Sequence, residues 1–596
     1  MEVITIFLKQ SKGSNGRIFL SFVHGYRING KVKHKTIEKI GYLDELEKIY
    51  DDPIAHFKAI AKERNAKNYA RKKIEIDIEK NLADNENCRK NLGYAIPKRI
   101  YSLLGINKFF QNKQKHLNID YNLNSIFSLL VFRRILFPGS KKRDFEKRDF
   151  FFDKYDFSLD DVYRSLDHFA AYSEPLQKFL HEQICKTIGR DGKLGYYDVT
   201  NYYFEIPYDD EDEYDDDGNL VKKGLRKKGP SKEHRPDPIV QMGLLMDSNG
   251  IPMAFNTFSG AESEKKSLLP LIRRVKRDYN LERIIVVADR GLNTSDNTAF
   301  LAGVNDDDSR GYDGYVYGQS VLGADKEFKE WVLNPDGYIK TIETDKNGDE
   351  YTVKYKSRIY AKTIQLENRQ GKRNLKMTIY QKQLVFYSEK YAKKQEKERD
   401  LVIKKALDLI ANPGKYTRAT SVGAAGYVKN IKFNKKTGEI ADGLNLLLDI
   451  EKIKEEEKFD GYYSIVTSEK HLSDQEIREI YRQLWEIEDS FKITKSELKT
   501  RPIFVRTREH INAHFLVCFV ALLILRILEF KLGKKYSIRR IRESLIEYSC
   551  TYIEQNIHVF NYRDEILCSL EKIFDLNLKK KYMSTSEIKK ILEYHK

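Results

Sequence analysis

Three carboxylates stand where a carboxylate calls for an explanation. Asp198 lies in "KLGYYDVTNYYFE" (193–205), a run otherwise built from the aromatic and β-branched residues that fill half-buried strands. A charge there is costly unless it is paired or holds a metal, so Asp198 requires a partner. Asp289 closes the apolar run of "RIIVVADRG" (283–291). Glu488 belongs to "YRQLWEIEDSFKITK" (481–495), where Tyr481, Glu488 and Lys495 follow one another at steps of seven. Seven residues are almost two helical turns, with about 20° of drift per step, so the three share one helix face with Leu484 and Trp485. That face could present a carboxylate between a phosphate-binding Lys and a Tyr able to hydrogen-bond or stack. The plainer alternative is an amphipathic helix whose polar members simply face solvent.

The elements that position these residues follow from the surrounding pattern. "LGYYDVTNYYFE", "IVQMGLLMD" (239–247) and "IPMAFNTFSG" (251–260) predict a three-stranded meander, followed by the amphipathic helix "ESEKKSLLPLIRRVKRDY". The unbroken Ile/Val run before Asp289 predicts a parallel strand covered on both faces, hence a mixed α/β sheet with its chemistry at the carboxyl ends of the strands. "DGYYSIVTS" (460–468) resumes the sheet, and "SDQE" (473–476) has capping-box spacing at the start of one long helix carrying Glu488.

Three stretches, "YYDVTNYYFE", "VVADRGLN" and "IYRQLWEIEDSFKITKSEL", together resemble the DDE transposases of bacterial insertion sequences, in the subgroup whose last motif places Tyr, Arg, Glu and Lys along one helix. The resemblance implies a ribonuclease H-like mixed sheet flanked by helices and interrupted by a β-rich insertion, with Asp198, Asp289 and Glu488 as catalytic residues holding two Mg²⁺ ions, Mn²⁺ being able to substitute. Tyr481 and Lys495 match the motif as DNA contacts. The motif's Arg falls on Leu484, to which its role does not carry over, while Arg482 lies two residues earlier and nearly opposite on the helix wheel. Two metals about 4 Å apart would serve both water-driven cleavage at the element's ends and attack of the freed 3′-OH on target DNA. The three carboxylates should then converge in one cleft beside basic surface. The implied partners are double-stranded DNA, as terminal inverted repeats and target, and a second copy of the chain in a synaptic homodimer. No membrane is implied, and the expected location is the bacterial cytoplasm, on the nucleoid. Rival readings are a ribonuclease H-like nuclease or resolvase without strand transfer, and a catalytically silent DNA-binding protein.

The totals fit a polyanion as partner. The chain has 596 residues and a net charge of +17, too long for one core and basic enough to displace counterions from phosphates. Its longest apolar run, "FLVCFVALLIL" (515–525), falls short of the roughly 20 residues of a membrane span and reads as a buried helix. The N-terminal residues lack the marks of a secretory signal. Five scattered cysteines fit free thiols, and His510 with His514 lacks the Glu that a zinc protease helix would carry. The acidic "DDEDEYDDDG" (209–218) fails the calcium-loop spacing and reads as a solvated loop. The expected division is a β-hairpin and helical region over 1–95, a helical and DNA-binding module over 96–190, the core over 191–320 and 459–510, the insertion with one charged helix over 321–458, and a C-terminal helical region over 511–596.

Overall fold

The computed structural model describes residues 6–14, 16–28, 31–69, 74, 76–84, 86–229, 237–303, 313–344, 348–365, 376–418, 420–434, 438–441 and 443–593. They fall into two compact units, Met1–Cys88 with Tyr552–His558, and Arg89–Thr551 with Val559–Lys596. In the first unit, strands Ile6–Lys12, Ile18–Ile28 and Lys31–Tyr42 form an antiparallel sheet. Ile6 and Phe22 pack on Ala61 of the helix Pro53–Tyr69. The hairpin expected at "INGK" is present as the Ile28–Lys31 pairing, its two turn residues lying outside the described ones. The strand Ile6–Lys12 is an addition to the sequence reading.

The second unit is organised by a nine-stranded mixed sheet. Its order is Ile339–Thr344, Glu350–Gln365, Lys376–Ser388, Tyr462–Thr467, Gly314–Gln319, Ile285–Ala288, Leu194–Tyr203, Ile239–Met246, Pro252–Ser259. The last three form the expected antiparallel meander, and the buried strand Ile285–Ala288 runs parallel to both of its neighbours. Val286 and Ala288 pack under the crossover helix Leu268–Tyr279, while Val287 joins the core on the opposite face. Both faces are therefore covered, which is why the run is apolar without alternation.

The strands expected as a β-rich insertion fall in the chain between Gly314–Gln319 and Tyr462–Thr467, which pair with each other, and they also extend the central sheet, because Leu384 of Lys376–Ser388 pairs with Ile465 of Tyr462–Thr467. Leu384, Val385 and Phe386 are buried on both faces, as an internal strand requires. The turn at "TDKNGDE" joins Thr344 to Glu350 in register, with 345–347 outside the described residues. The charged helix follows as Glu389–Ala411.

One expectation needs correction, that of the helix bearing Glu488. The Ser473–Glu476 capping box forms as expected, but one long helix is replaced by two, Asp474–Arg482 and Trp485–Ser496. At the join the amides of Leu484, Glu486 and Ile487 bond carbonyls three residues back, at 3.1, 3.0 and 3.2 Å. Such tight turns advance about 120° per residue instead of 100°. The shared face therefore does not survive intact: Leu484 is buried at 8% exposure, and Trp485 stands out at 58%.

The apolar run becomes the helix Arg508–Lys531, long and apolar enough to cross a bilayer, yet 94% buried within the protein across its most apolar window. It packs against the helices Leu123–Leu136 and Leu159–Ala171 of the helical region. The basic patch "GSKKRDFEKRDF" (139–150) is only partly surface, since Lys141 and Asp144 turn inward. Burial pushes the Lys141 amine down to about 8, and its Nζ donates to His514 Nδ1 at 3.3 Å. The acidic stretch is an exposed small hairpin, with Asp210 and Asp212 paired to Arg226 and Lys227.

Candidate active site

Asp198 and Asp289 are brought side by side by sheet register. Ala288 pairs with Tyr197 across two parallel strands, so the residues that follow each stand at the same level, on backbones about 4.8 Å apart. Alternation sets their face. Tyr196 and Tyr202, two and four residues from Asp198, belong to the core on one side, whereas Tyr197 and Val199 belong to the other. By the same count Asp289 shares the side of Val287, which is that of Tyr196. Asp289 keeps an extended backbone and caps the short turn Arg290–Leu292, its Oδ1 accepting from the Arg290 amide at 2.6 Å. Asp198 is half-buried and Asp289 exposed.

The helix Trp485–Ser496 lies over that same side. Tyr196 Oη donates to Gln483 Oε1 at 2.8 Å and Tyr202 Oη meets Thr494 Oγ1 at 2.7 Å, so strand and helix run in the same direction and the level of Asp198 falls near Ile487 and Glu488. Buried Arg526 anchors the helix from beneath. Its guanidinium donates to Ser490 Oγ, Asp489 Oδ2 and the Glu486 carbonyl, and to Glu529 on its own helix.

Tyr481 joins the two halves of the site. Its hydroxyl sits over Gly318, where an added Cβ would lie 2.4 Å from Oη and 3.1 Å from the Arg290 amide nitrogen. Burial chiefly, and then the carboxylates of Asp289 and Glu488, push its phenol well above the usual value, so it stays protonated and able to donate. Asp289 and Tyr481 open onto a cavity of about 610 Å³ lined also by Arg290, Arg478, Arg482 and Tyr463. Arg478 is already committed there, forked onto Glu343 and donating to Tyr463 Oη. Arg482 is exposed at the rim, 3.4 Å from Glu479.

Not every expected residue reaches this cavity. Glu488 is exposed on the helix and Asp198 lies beneath it, neither of them lining the cavity. Lys495 sits farther along, its Nζ 5.8 Å from the centroid of the Tyr202 ring. Among the described residues no three His, Cys, Asp or Glu side chains are gathered closely enough to hold an ion. The three carboxylates therefore share a side of the sheet without closing into one cluster. Gly318, Arg290, Arg478 and Tyr463 escaped the sequence reading. Only Arg290 carried a signal, as the neighbour of Asp289; the others arrive from distant strands and helices.

Residues 221–524, just over half of the chain, match the family model "Transposase DDE domain", and residues 8–75 match "IS1634 family transposase, N-terminal domain". Asp289, Tyr481, Glu488 and Lys495 lie inside the first match, and Asp198 lies ahead of it. No curated protein matches. Among solved structures, the Mos1 transposase paired-end complex with left transposon end is 11% identical with a TM-score of 0.13, covering 41% of this chain and 64% of that one. A pre-cleavage Mos1 transpososome is 11% identical with a TM-score of 0.10, covering 29% and 54%. The chain thus spans under two thirds of the solved chains it matches, and likeness this slight carries no argument.

Proposed function

Because the chain belongs to the DDE transposases of insertion sequences, we propose that it binds the terminal inverted repeats of its element, cleaves there and joins the freed 3′ ends to target DNA. The observation that supports this reading best is the register that sets Asp198 beside Asp289, with the helix bearing Glu488 lying over the same side of the sheet. DDE transposases use divalent metal ions. The donor set fits them, since carboxylate oxygens are what hard divalent cations take, and Asp198, Asp289 and Glu488 would hold Mg²⁺, two ions with Mn²⁺ as substitute. Bound metal would offset the negative charge that builds on the phosphate during displacement.

The chain's own groups would do the rest. Tyr481, held at Gly318 with its proton in place, donates to a phosphate oxygen entering at Asp289. Arg482 at the cavity rim takes the phosphate-contacting part that Leu484, buried in the core, is unable to play. Lys495 meets backbone phosphate farther along the helix. Two copies would bring two ends together, on the nucleoid in the cytoplasm.

The test is cleavage and strand transfer in vitro with the element's own ends. Asp198→Asn, Asp289→Asn and Glu488→Gln should each lower cleavage by about 10³-fold or more, the loss of several kcal/mol of transition-state stabilisation, while leaving end binding intact. Metal-dependent cleavage retained in any of the three would refute its assignment. Cleavage without joining would favour the purely hydrolytic alternative.

A further inference from the structure

The C-terminal part of the second unit carries a groove that no step above uses. The chain passes out along strand Ile557–Phe560 and returns into strand Tyr582–Ser584, the two segments joined by the Phe560 amide donating to the Lys581 carbonyl at 2.8 Å. Between them lies a cavity of about 270 Å³ lined by Phe560, Asn561, Tyr562, Arg563, Leu578 and Lys579–Lys581. Four of these eight lining residues are cationic and none is acidic.

The four cations divide into two kinds. Arg563 and Lys580 are held in place by carboxylates outside the groove, Glu571 and Glu587, each at 2.6 Å. Lys580 is the chief reason the Glu587 carboxyl is held down to about 2, and Glu571 also accepts from the Leu578 amide at 3.0 Å. Lys579 and Lys581 are exposed, and neither forms an ion pair among the described residues. Two fixed cations thus shape the walls, while Lys579 and Lys581, the latter with its Nζ 5.8 Å from the Tyr582 ring centroid, stand exposed on a concave surface.

We propose that this groove is a second DNA-contact surface, with Lys579 and Lys581 gripping the phosphodiester backbone of duplex DNA outside the cleavage site. The inference rests on the transposase reading for its partner. A backbone strand supplies anions at regular spacing, which exposed cations on a concave surface can meet, and such contacts position a duplex without reading its sequence. The neighbouring Tyr582, 53% exposed, offers a hydroxyl to the same strand.

The experiment follows the full chain binding a random-sequence duplex of about 30 base pairs as salt is raised, because the phosphate contribution is independent of sequence. The double variant Lys579→Gln/Lys581→Gln should flatten the slope of log K against log salt by about 1.8, roughly 0.9 for each phosphate no longer neutralised. Both side chains are exposed, so its thermal midpoint should match that of the wild type. A wild-type slope retained in the double variant overturns the groove assignment and leaves the transposase reading standing. A wild-type chain with no measurable affinity for duplex DNA overturns both.

Discussion

At the scale of single residues, Gly318 does most to shape the site, by having no side chain. Tyr481 Oη occupies the space a Cβ would need, and the Arg290 amide that binds Asp289 borders it. Gly318→Ala should therefore push the Tyr481 ring away from Asp289 and lower cleavage with little change in end binding, at a stability cost of about 1–3 kcal/mol for overpacking. Pairing it with Tyr481→Phe, which frees the contested volume, should restore the thermal midpoint but not the cleavage rate. Full activity in Gly318→Ala would show that the tyrosine's placement is irrelevant. Arg482 and Leu484 make a related point. Leu484, at the position of the motif's Arg, is buried, while Arg482 is exposed at the cavity rim.

At the scale of elements, the helix Trp485–Ser496 is held by one buried cation. Arg526 is 4% exposed and bonds Ser490, Asp489 and the Glu486 carbonyl within two turns of that helix. Arg526→Ala would leave those acceptors without their donor and should destabilise the protein by about 1–3 kcal/mol, since the partly exposed Asp489 can be solvated in its place. Arg526→Lys keeps the charge but loses the fork, so it should recover part of the stability while cleavage stays low, because Glu488 is no longer oriented. A Lys variant with wild-type cleavage would separate this anchor from the chemistry. The tight join at Gln483–Leu484 was not legible in the sequence. Capping and periodicity identify the helix, whereas the break comes from Leu484 and Ile487 being drawn into a core contributed by other segments.

Across the whole molecule, stability should depend on pH through two buried histidines. Burial, and then Arg190, push His181 down to about 4; burial, with Lys141 and Arg134, pushes His514 well below its usual value. Both stay neutral in the folded chain, while the unfolded chain takes up protons below about pH 6.5. The unfolded state then binds more protons, so stability falls as pH drops from about 6.5 toward 4. For His181 alone the loss is on the order of 3 kcal/mol once complete. Urea midpoints at pH 7 and pH 5 should show the drop, and His181→Gln should lessen it; equal midpoints would mean that neither histidine titrates differently on folding.

Much of this architecture is local and therefore readable from the chain: the meander, the two-sided strand before Asp289, the capping box at Ser473 and the buried helix of 508–531 each follow from residue period and caps. The three acidic candidates were likewise identifiable one at a time, as carboxylates in costly or exposed settings. Their mutual placement was not. That Asp198 stands beside Asp289 depends on the register Tyr197–Ala288, which strands far apart in sequence settle by burying both faces of Ile285–Ala288 at once. Whether the strands of 339–388 form a separate insertion or extend the sheet was decided by the free edge of Tyr462–Thr467, whose backbone groups need a partner wherever one can be found. Sequence pattern determined which carboxylates stand out; long-range pairing and packing, whose energies arise only when distant segments meet, decided how they lie relative to one another.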